Sequence, residues 1–315
     1  MLKTWFRGQV NRITDSLVTK IVQHVSRREA AVRTGIGSSA KYSGVAKEMQ
    51  ILLQLRYREI QQNRLPLPSF DEVQLKSYSQ SGEDGVLLYI FSLIGTTNRR
   101  CVEICAGNGI ECNSANLIVH HNWHGLLFDG SEKNVKLGME FYRANCVNKH
   151  SLPLFRAAWI TSEGVNNLVS SNGFEGKVDL LTIDIDGNDY WVWEALDVVS
   201  PRVVVVEFQH SWGADHAVTQ KYDPKFVWNP GAFPSGMAGA SLPAFVKLGR
   251  RKGYRLVGVH SCNAFFVKNG LGDDVLPEIP AEDCFQLPMN KLQRARHLAY
   301  EKEHGSLIRG NWIEV

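Results

Sequence analysis

The feature that most constrains this chain is a short apolar run, residues 101–105, that breaks into two glycines, Gly107 and Gly109. Such a run predicts a buried strand that ends in a tight turn and leads into a helix. Glycine lets the backbone approach a bound molecule closely because it has no Cβ. A second apolar run ends in Asp129, about 20 residues further on, where nucleotide-binding α/β folds place the carboxylate that binds ribose hydroxyls. The spacing therefore predicts a nucleoside-binding α/β domain.

The glycine turn does not complete the dinucleotide-binding pattern G-x-G-x-x-G, because Cys112 occupies the third glycine position. An acid, Glu103, precedes Gly107 by four residues, and a carboxylate there suits a cationic ligand group better than a pyrophosphate. The pattern E-x-x-x-G-x-G is similar to the first motif of class I S-adenosylmethionine (SAM)-dependent methyltransferases, usually E/D-x-G-x-G-x-G. Cys105 stands where that motif has its first glycine.

Further apolar runs continue an alternation of strands and helices. Runs rich in β-branched residues and too short for a helix predict strands over 178–184, 201–209, 254–260 and 263–268. The last two are joined by only two residues, which requires an antiparallel hairpin. With helices expected over 190–198 and 241–252, the pattern predicts an α/β fold. Its Rossmann-like sheet has seven strands, is mostly parallel and ends in an antiparallel hairpin.

Five segments together resemble the FkbM-like family of SAM-dependent methyltransferases, in order and in spacing. They are YSQSGEDG at 78–85, VEICAGNG at 102–109, NWHGLLFDG at 122–130, IDIDGND at 183–189 and VVEF at 205–208. The resemblance covers roughly residues 75–270. It implies a SAM cofactor and methyl transfer to an oxygen, often of a sugar or a natural product. It also implies that Gln80 closes over the methionine end of the cofactor.

Length and charge limit the class of protein. At 315 residues and 44% hydrophobic content, we expect an N-terminal helical extension over 1–70, a methyltransferase domain over 71–275 and a packed tail over 276–315. A net charge of +3 is too small to indicate a nucleic-acid partner. The six cysteines form no C-x-x-C pair, and no secretory signal is recognised, so we expect a cytoplasmic protein.

The first 30 residues form a separate amphipathic pattern. Apolar residues recur at helical spacing beside six basic residues and only two acids. This pattern is typical of a helix on an anionic membrane surface or of a transit peptide. It is equally typical of a helix that packs on its own domain or on a second subunit in a homo-oligomer.

The motifs assign candidate residues to the cofactor and to the reaction. For the cofactor they are Glu103, Gly107, Gly109, Asp129, Gln80 and Asn113, although Asn113 also fits a helix cap. For proton removal from an acceptor hydroxyl they are Asp184 and His210, which follow the fourth and fifth strands, where open α/β sheets bind ligands. His210 alternatively lies in a surface loop, and Asp186 or Asn188 alternatively caps the next helix.

A metal is an alternative way to activate the acceptor. Asp184, Asp186 and Glu207 offer the hard oxygen ligands that Mg²⁺ prefers. A bound divalent ion would hold two substrate hydroxyls and lower the pKa of one of them. We therefore expect SAM, with Mg²⁺ as an additional candidate.

The long, aromatic insertion over 211–240 is expected to act as a lid and to form the acceptor pocket. The acceptor is then a small molecule or a glycan. Two other functions stay open. The chain could be an NAD(P)-dependent oxidoreductase, against which the missing third glycine argues. It could also be a non-catalytic methyltransferase-like scaffold, which the cysteine at 105 would suit.

Overall fold

The computed structural model describes residues 45–146, 148, 152–228, 238–304 and 312–315. The chain divides into two compact units, Met1–Leu93 and Ile94–Val315. This division falls inside the domain expected over 71–275. The amphipathic pattern of the first 30 residues lies outside the described residues. Across the described residues, no helix combines the length and the apolar character that crossing a membrane requires.

The described part of the first unit is helical. Its helices are α1 (Lys47–Gln62), α2 (Phe70–Val73) and α3 (Glu83–Ile94), whose last residue lies beyond the division. Helix α2 begins with a capping box, in which the Ser69 backbone N–H donates to the Glu72 carboxylate at 2.8 Å. In the first turn of α3, the buried carboxylate of Asp84 accepts the backbone N–H of Ser77 at 2.8 Å and that of Ser79 at 3.0 Å. This carboxylate fixes the loop that contains Gln80.

The second unit contains a seven-stranded sheet in the order β3-β2-β1-β4-β5-β8-β7. Its strands are β1 (Arg100–Ile104), β2 (His124–Asp129), β3 (Leu154–Ala157), β4 (Gly176–Ile183), β5 (Val199–Glu207), β7 (Tyr254–His260) and β8 (Asn263–Lys268). Neighbouring strands from β3 to β5 pair in parallel, and β8 pairs antiparallel with both β5 and β7. The predicted sheet and its terminal hairpin are confirmed.

Helices and a small second sheet surround the main sheet. The helices are α4 (Ala115–His121), α5 (Glu132–Asn145), α6 (Val165–Ser171), α7 (Asp189–Ala195), α8 (Leu242–Lys252), α9 (Ala281–Cys284) and α10 (Pro288–His304). Helix α8 begins where Ser241 Oγ accepts the Ala244 N–H at 3.3 Å and ends at Gly253, in the left-handed region. Strand β6 (Val218–Gln220) pairs antiparallel with β9 (Trp312–Glu314), so the chain terminus joins the insertion that follows β5.

The core lies on the two central strands, β4 and β5. A parallel sheet with helices on both faces needs apolar residues on both sides of each strand. Accordingly Leu180, Val204 and Phe266 are fully buried. Trp193 of α7 packs on Phe266 with ring centroids 5.1 Å apart, and Cys284 of α9 joins the same core. Because β1, β2, β4 and β5 run parallel, their carboxyl ends lie at one edge of the sheet, where the candidate residues are found.

Candidate active site

The turn after β1 has the conformation that its glycines allow. Cys105, Gly107 and Gly109 all have positive φ, at 61°, 56° and 70°. The Ala106 N–H donates to the carbonyl of Phe128 at 2.8 Å, which ties the turn to β2. A Cβ on Gly109 would lie 2.8 Å from a Phe155 ring carbon, whereas one on Gly107 would meet no atom within 4 Å. Gly109 is therefore needed for packing, and Gly107 leaves space for a ligand.

Glu103, in β1, is buried and holds the segment that follows the glycine turn. Its carboxylate accepts the backbone N–H groups of Asn113 at 2.8 Å and Ser114 at 2.9 Å, and also the Ser114 hydroxyl. Burial raises the pKa of this carboxyl, and these hydrogen bonds oppose that rise. Both oxygens thus hold the segment that begins α4. In the structure Glu103 fixes the start of α4, and its contact with a cofactor stays a prediction.

Asp129 ends β2 and is only half-buried. Its Oδ1 accepts the backbone N–H of Ser131 at 2.9 Å and the side-chain amide of Asn134 at 3.0 Å. These bonds fix the carboxylate at the start of α5. Gln80 belongs to the first unit, where it is exposed and its carbonyl accepts Lys76 Nζ at 2.7 Å. The cofactor roles of both residues stay predictions.

Three acids come together at the carboxyl ends of β4 and β5. Asp184, Asp186 and Glu207 each place one carboxylate oxygen within 4.8 Å of the others. Burial, then the charge of Glu207, raises the pKa of Asp184. Burial, then the charges of Asp189 and Asp186, raises the pKa of Glu207 to about 7. The group can therefore hold a proton near neutral pH, or its oxygens can bind a divalent cation.

Asp189, which the sequence did not single out, holds the loop that carries Asp184 and Asp186. Its carboxylate accepts the N–H groups of Ile185 at 2.8 Å and Gly187 at 2.9 Å. Burial raises its pKa to about 6. Asn188 occupies the cap position of α7, but its side chain makes no capping bond. The sequence did contain a signal for a structural role of Asp189, because an acid in the first turn of a helix complements the helix dipole.

His210 follows β5 in a short 3₁₀ turn (His210–Trp212) and points toward the β7–β8 hairpin. Its Nε2 lies 3.1 Å from the carbonyl oxygen of Ser261, and its ring packs on Phe208 at 4.5 Å between centroids. Burial lowers the pKa of His210, whereas its hydrogen bonds to the Ser261 backbone and the Asn290 side chain raise it. Of the predicted catalytic residues, the structure brings Asp184 into the acidic group and leaves His210 outside it.

A cavity of about 220 Å³ opens beside the acidic group. Its wall comes from the turns after β1, β2, β3 and β4 and from the insertion after β5, and consists of Cys105, Gly130, Ala158, Trp159, Ile160, Ile185, Asp186, Asn188, Phe226, Val227 and Trp228. Asp186 belongs to both the cavity wall and the acidic group. A molecule in the cavity would therefore lie beside Asp186, one acid of the group.

Residues of the lid insertion are hydrogen-bonded across the ends of β3 and β4. The indole N–H of Trp159 donates to the carbonyl of Pro224 at 2.7 Å, and the side-chain amide of Asn188 donates to the carbonyl of Asp223 at 2.8 Å. The Tyr222 hydroxyl donates to Glu163 at 2.6 Å. The described part of the insertion thus covers the side of the cavity next to Gly130. That side adjoins Asp129, which was predicted to bind the cofactor, whereas the insertion was predicted to form the acceptor pocket.

Comparison with known proteins yields structural likenesses only. No family model and no curated protein matches the chain. Among solved structures, an S-adenosylmethionine-dependent methyltransferase from Clostridium acetobutylicum ATCC 824 has 12% identity and a TM-score of 0.38, with 59% of this chain and 91% of that chain covered. Magnesium protoporphyrin IX methyltransferase (ChlM) from Synechocystis PCC 6803, with bound SAM, has 11% identity and a TM-score of 0.39, covering 73% and 100%.

The N-terminal domain of EvdMO1, solved in the presence of SAH and D-fucose, has 14% identity and a TM-score of 0.39, with 70% of this chain and 96% of that chain covered. Similarities at TM-scores below 0.5 do not assign an activity. The function of this chain therefore has to be inferred from the residues of its own site.

Proposed function

We propose that the chain is a SAM-dependent methyltransferase that transfers the methyl group to a hydroxyl oxygen. One observation carries the proposal: Asp186 lies both in the carboxylate group with Asp184 and Glu207 and in the wall of the cavity that contains Cys105 and Gly130. The turn after β1, through Cys105, and one acid of the group, Asp186, thus border the same cavity at the carboxyl edge of the sheet. A cofactor and an acceptor bound there would be adjacent.

SAM supplies an electrophilic methyl group on a sulfonium. The residues of the chain must then align an acceptor oxygen with it and take up the acceptor proton. Alignment in a near-attack geometry contributes about 7–11 kcal/mol to lowering such a barrier. The proton passes to a carboxylate of Asp184 or Glu207, while an O–CH₃ bond forms and the S–CH₃ bond breaks. The pKa of Glu207, about 7, suits a base that works at neutral pH.

Mg²⁺ fits the same three carboxylates, because they form a set of hard oxygen donors within 4.8 Å of one another. Asp184, Asp186 and Glu207 would hold the ion. The ion would supply a Lewis acid that orients two neighbouring hydroxyls. The acceptor class, a sugar or a natural product, is proposed from the resemblance to FkbM-like enzymes.

Isothermal titration of the purified full chain with S-adenosylhomocysteine (SAH), with NAD⁺ as the comparator and with or without Mg²⁺, tests the cofactor. Micromolar SAH binding, about −8 kcal/mol, supports the proposal. Binding of NAD⁺ alone would favour an oxidoreductase, and binding of neither would favour a scaffold.

Asp129→Ala should abolish SAH binding while the protein stays folded. Transfer of a labelled methyl group from SAM to a panel of sugars and phenolic natural products then identifies the acceptor class. If SAH binds and no hydroxyl compound is methylated, O-methylation is the part of the proposal that fails.

A further inference from the structure

Gly187 directly follows Asp186 in the loop over residues 184–188, which we call the acidic loop, and glycine is needed there for space. Gly187 does not have the positive φ that requires glycine elsewhere in the chain. A Cβ at Gly187 would lie 2.5 Å from Cε1 of Phe226 and 2.8 Å from Nε2 of Gln220. Both neighbours belong to the insertion after β5. The missing Cβ therefore lets the insertion pack closely on the acidic loop.

Gln220 is held too firmly to withdraw from Gly187. Its side chain is 5% exposed, and its Oε1 accepts the backbone N–H of Gly239 at 3.2 Å. Its backbone N–H donates to the Gly239 carbonyl at 3.0 Å, and its own carbonyl accepts the indole N–H of Trp191 at 2.9 Å. Gln220 thus ties two parts of the insertion to each other and to α7. Its side-chain amide is a fixed surface against which Gly187 packs.

Two separate contacts constrain the backbone around Asp186. Asp186 has a φ of 56°, in the left-handed region that residues with a Cβ rarely adopt. Such a conformation persists only where the surrounding structure fixes it. One constraint is the Asp189 carboxylate, which accepts the N–H groups of Ile185 and Gly187 on either side of Asp186. The other is the packing of the insertion on Gly187, so moving the insertion away would remove half of the support.

We infer that Gln220 and Phe226 are positioning residues for Asp186. Seated on Gly187, they keep Asp186 in the conformation in which its carboxylate belongs to the acidic group. Phe226 also lies in the cavity wall beside Asp186, so the same contact sets where the acid stands relative to the cavity. The seating follows from the packing alone, whereas its effect on a reaction rests on the proposed function. The insertion then acts on the reacting groups as well as on the shape of an acceptor pocket.

Tryptic cleavage of the native, full-length protein measures the seating independently of any activity. Lys221 and Lys225 are exposed and lie in the part of the insertion that rests on Gly187. Cleavage at these lysines requires the insertion to open locally. Gly187→Ala should speed it roughly tenfold, with the cut sites identified by mass spectrometry. Adding Phe226→Val, which removes the two ring carbons nearest to the new methyl group, should restore most of the protection.

Methyl transfer from labelled SAM to the best acceptor of the sugar and phenolic panel measures the positioning. Gly187→Ala should lower kcat roughly 10–100-fold, because a small misplacement of a reacting group has an effect of this size. The affinity for SAH should change much less than kcat, and adding Phe226→Val should recover part of kcat. Gln220→Ala removes the amide that packs on Gly187 and adds no bulk. It should speed cleavage and lower kcat in the same way, and it replaces Gly187→Ala if that variant does not fold.

Gly173→Ala is the matched control for a general loss of stability. Gly173 lies in the turn before β4, at the end of that strand opposite to the acidic loop. A Cβ there would meet no atom within 4 Å, but its φ of 76° makes the substitution destabilising. Cleavage at Lys221 and Lys225 and the value of kcat should both stay as in the wild type.

The outcomes separate the inference from the proposed function. Unchanged cleavage of the Gly187→Ala protein, or a Phe226→Val addition that restores nothing, would overturn the seating. Faster cleavage with an unchanged kcat would overturn the positioning role and leave the proposed function standing. A wild type that binds no SAH and transfers no methyl group would overturn the proposed function, and the positioning role with it.

Discussion

One carboxylate oxygen of Asp184 lies within 4.8 Å of one carboxylate oxygen of Glu207. Asp184 directly follows β4, whereas Glu207 is the last residue of β5. Neighbouring parallel strands place them at one edge, because Ile183 of β4 is paired with Val206 of β5. Two half-buried acids so close cannot both ionise without a cost. We therefore expect the stability of the protein to depend on pH and on divalent cations.

Stability should decrease as the pH rises through about 5 to 7. Burial raises the pKa of Glu207 from its ordinary value of 4.5 to about 7 in the folded protein. Between these values the folded protein keeps a proton that the unfolded chain has released, so the free energy of unfolding falls as the pH rises. Urea unfolding at pH 5, 6, 7 and 8 measures the slope. Glu207→Gln should reduce it, and an unchanged slope would contradict the assignment.

Mg²⁺ should stabilise the protein more at pH 8 than at pH 5.5. Metal ligands must be deprotonated, and the raised pKa values of Asp184 and Glu207 leave them partly protonated at the lower pH. Thermal melting with and without 5–10 mM Mg²⁺, about the range for a weak site, should show a shift that Asp184→Asn removes. Asp197→Asn, an exposed acid of the same unit, is the matched control. Equal shifts at both pH values would argue against binding at this group.

The two glycines of the β1 turn should behave differently on substitution. Gly109→Ala places a Cβ 2.8 Å from the Phe155 ring and should cost about 1–3 kcal/mol in overpacking, besides the cost of its positive φ. Gly107→Ala meets no protein atom within 4 Å and should cost only about 1–2 kcal/mol for its φ of 56°. For SAH affinity the order of the two variants should be reversed. Gly107→Ala should have the larger effect and weaken binding at least about tenfold. Intact binding by that variant would remove Gly107 from the cofactor site.

Cys105→Gly should stabilise the protein and leave SAH binding intact. Cys105 has a φ of 61°, which costs a residue with a Cβ about 1–2 kcal/mol. Glycine adds backbone entropy to the unfolded chain, worth about 0.5–1 kcal/mol in the opposite direction. The net gain should be up to about 1 kcal/mol in chemical denaturation. Cys101→Gly, in the buried strand β1 and without a positive φ, should destabilise instead.

The kcat values of variants should distinguish the two candidate proton acceptors, Asp184 and His210. Asp184→Asn should lower kcat by about 10²–10⁴-fold with little loss of stability, since it removes a base from the acidic group. His210→Asn should change kcat by less than about tenfold, because the His210 ring is held by the Ser261 carbonyl, and should lower stability by about 1 kcal/mol. The measurements are steady-state methyl transfer to the acceptor found in the panel and thermal melting. The opposite pattern would identify His210 as the base.

The positions of most strands of the main sheet, and the antiparallel direction of its last hairpin, could be predicted from the sequence because their causes are local. The apolar runs of β4 and β5 are too short and too β-branched for helices, and Ser261–Cys262 is too short for a parallel connection. The carboxyl ends of parallel strands meet at one edge, so the grouping of Asp184 with Glu207 also followed from the pattern. The placement of the His210 ring could not be predicted in this way, because a 3₁₀ turn after β5 decides which way the ring points.

The sequence by itself determined the α/β sheet, the glycine turn and the strand ends that carry the acids, because hydrophobic spacing and short connections act between near neighbours. Only the tertiary structure decided how the site is closed. The Asn188 amide and the Asp223 carbonyl are 35 residues apart, and they meet because the insertion after β5 folds back over β3 and β4. Hydrogen bonds of this kind depend on the packing of the whole unit, and no local pattern in the chain encodes them.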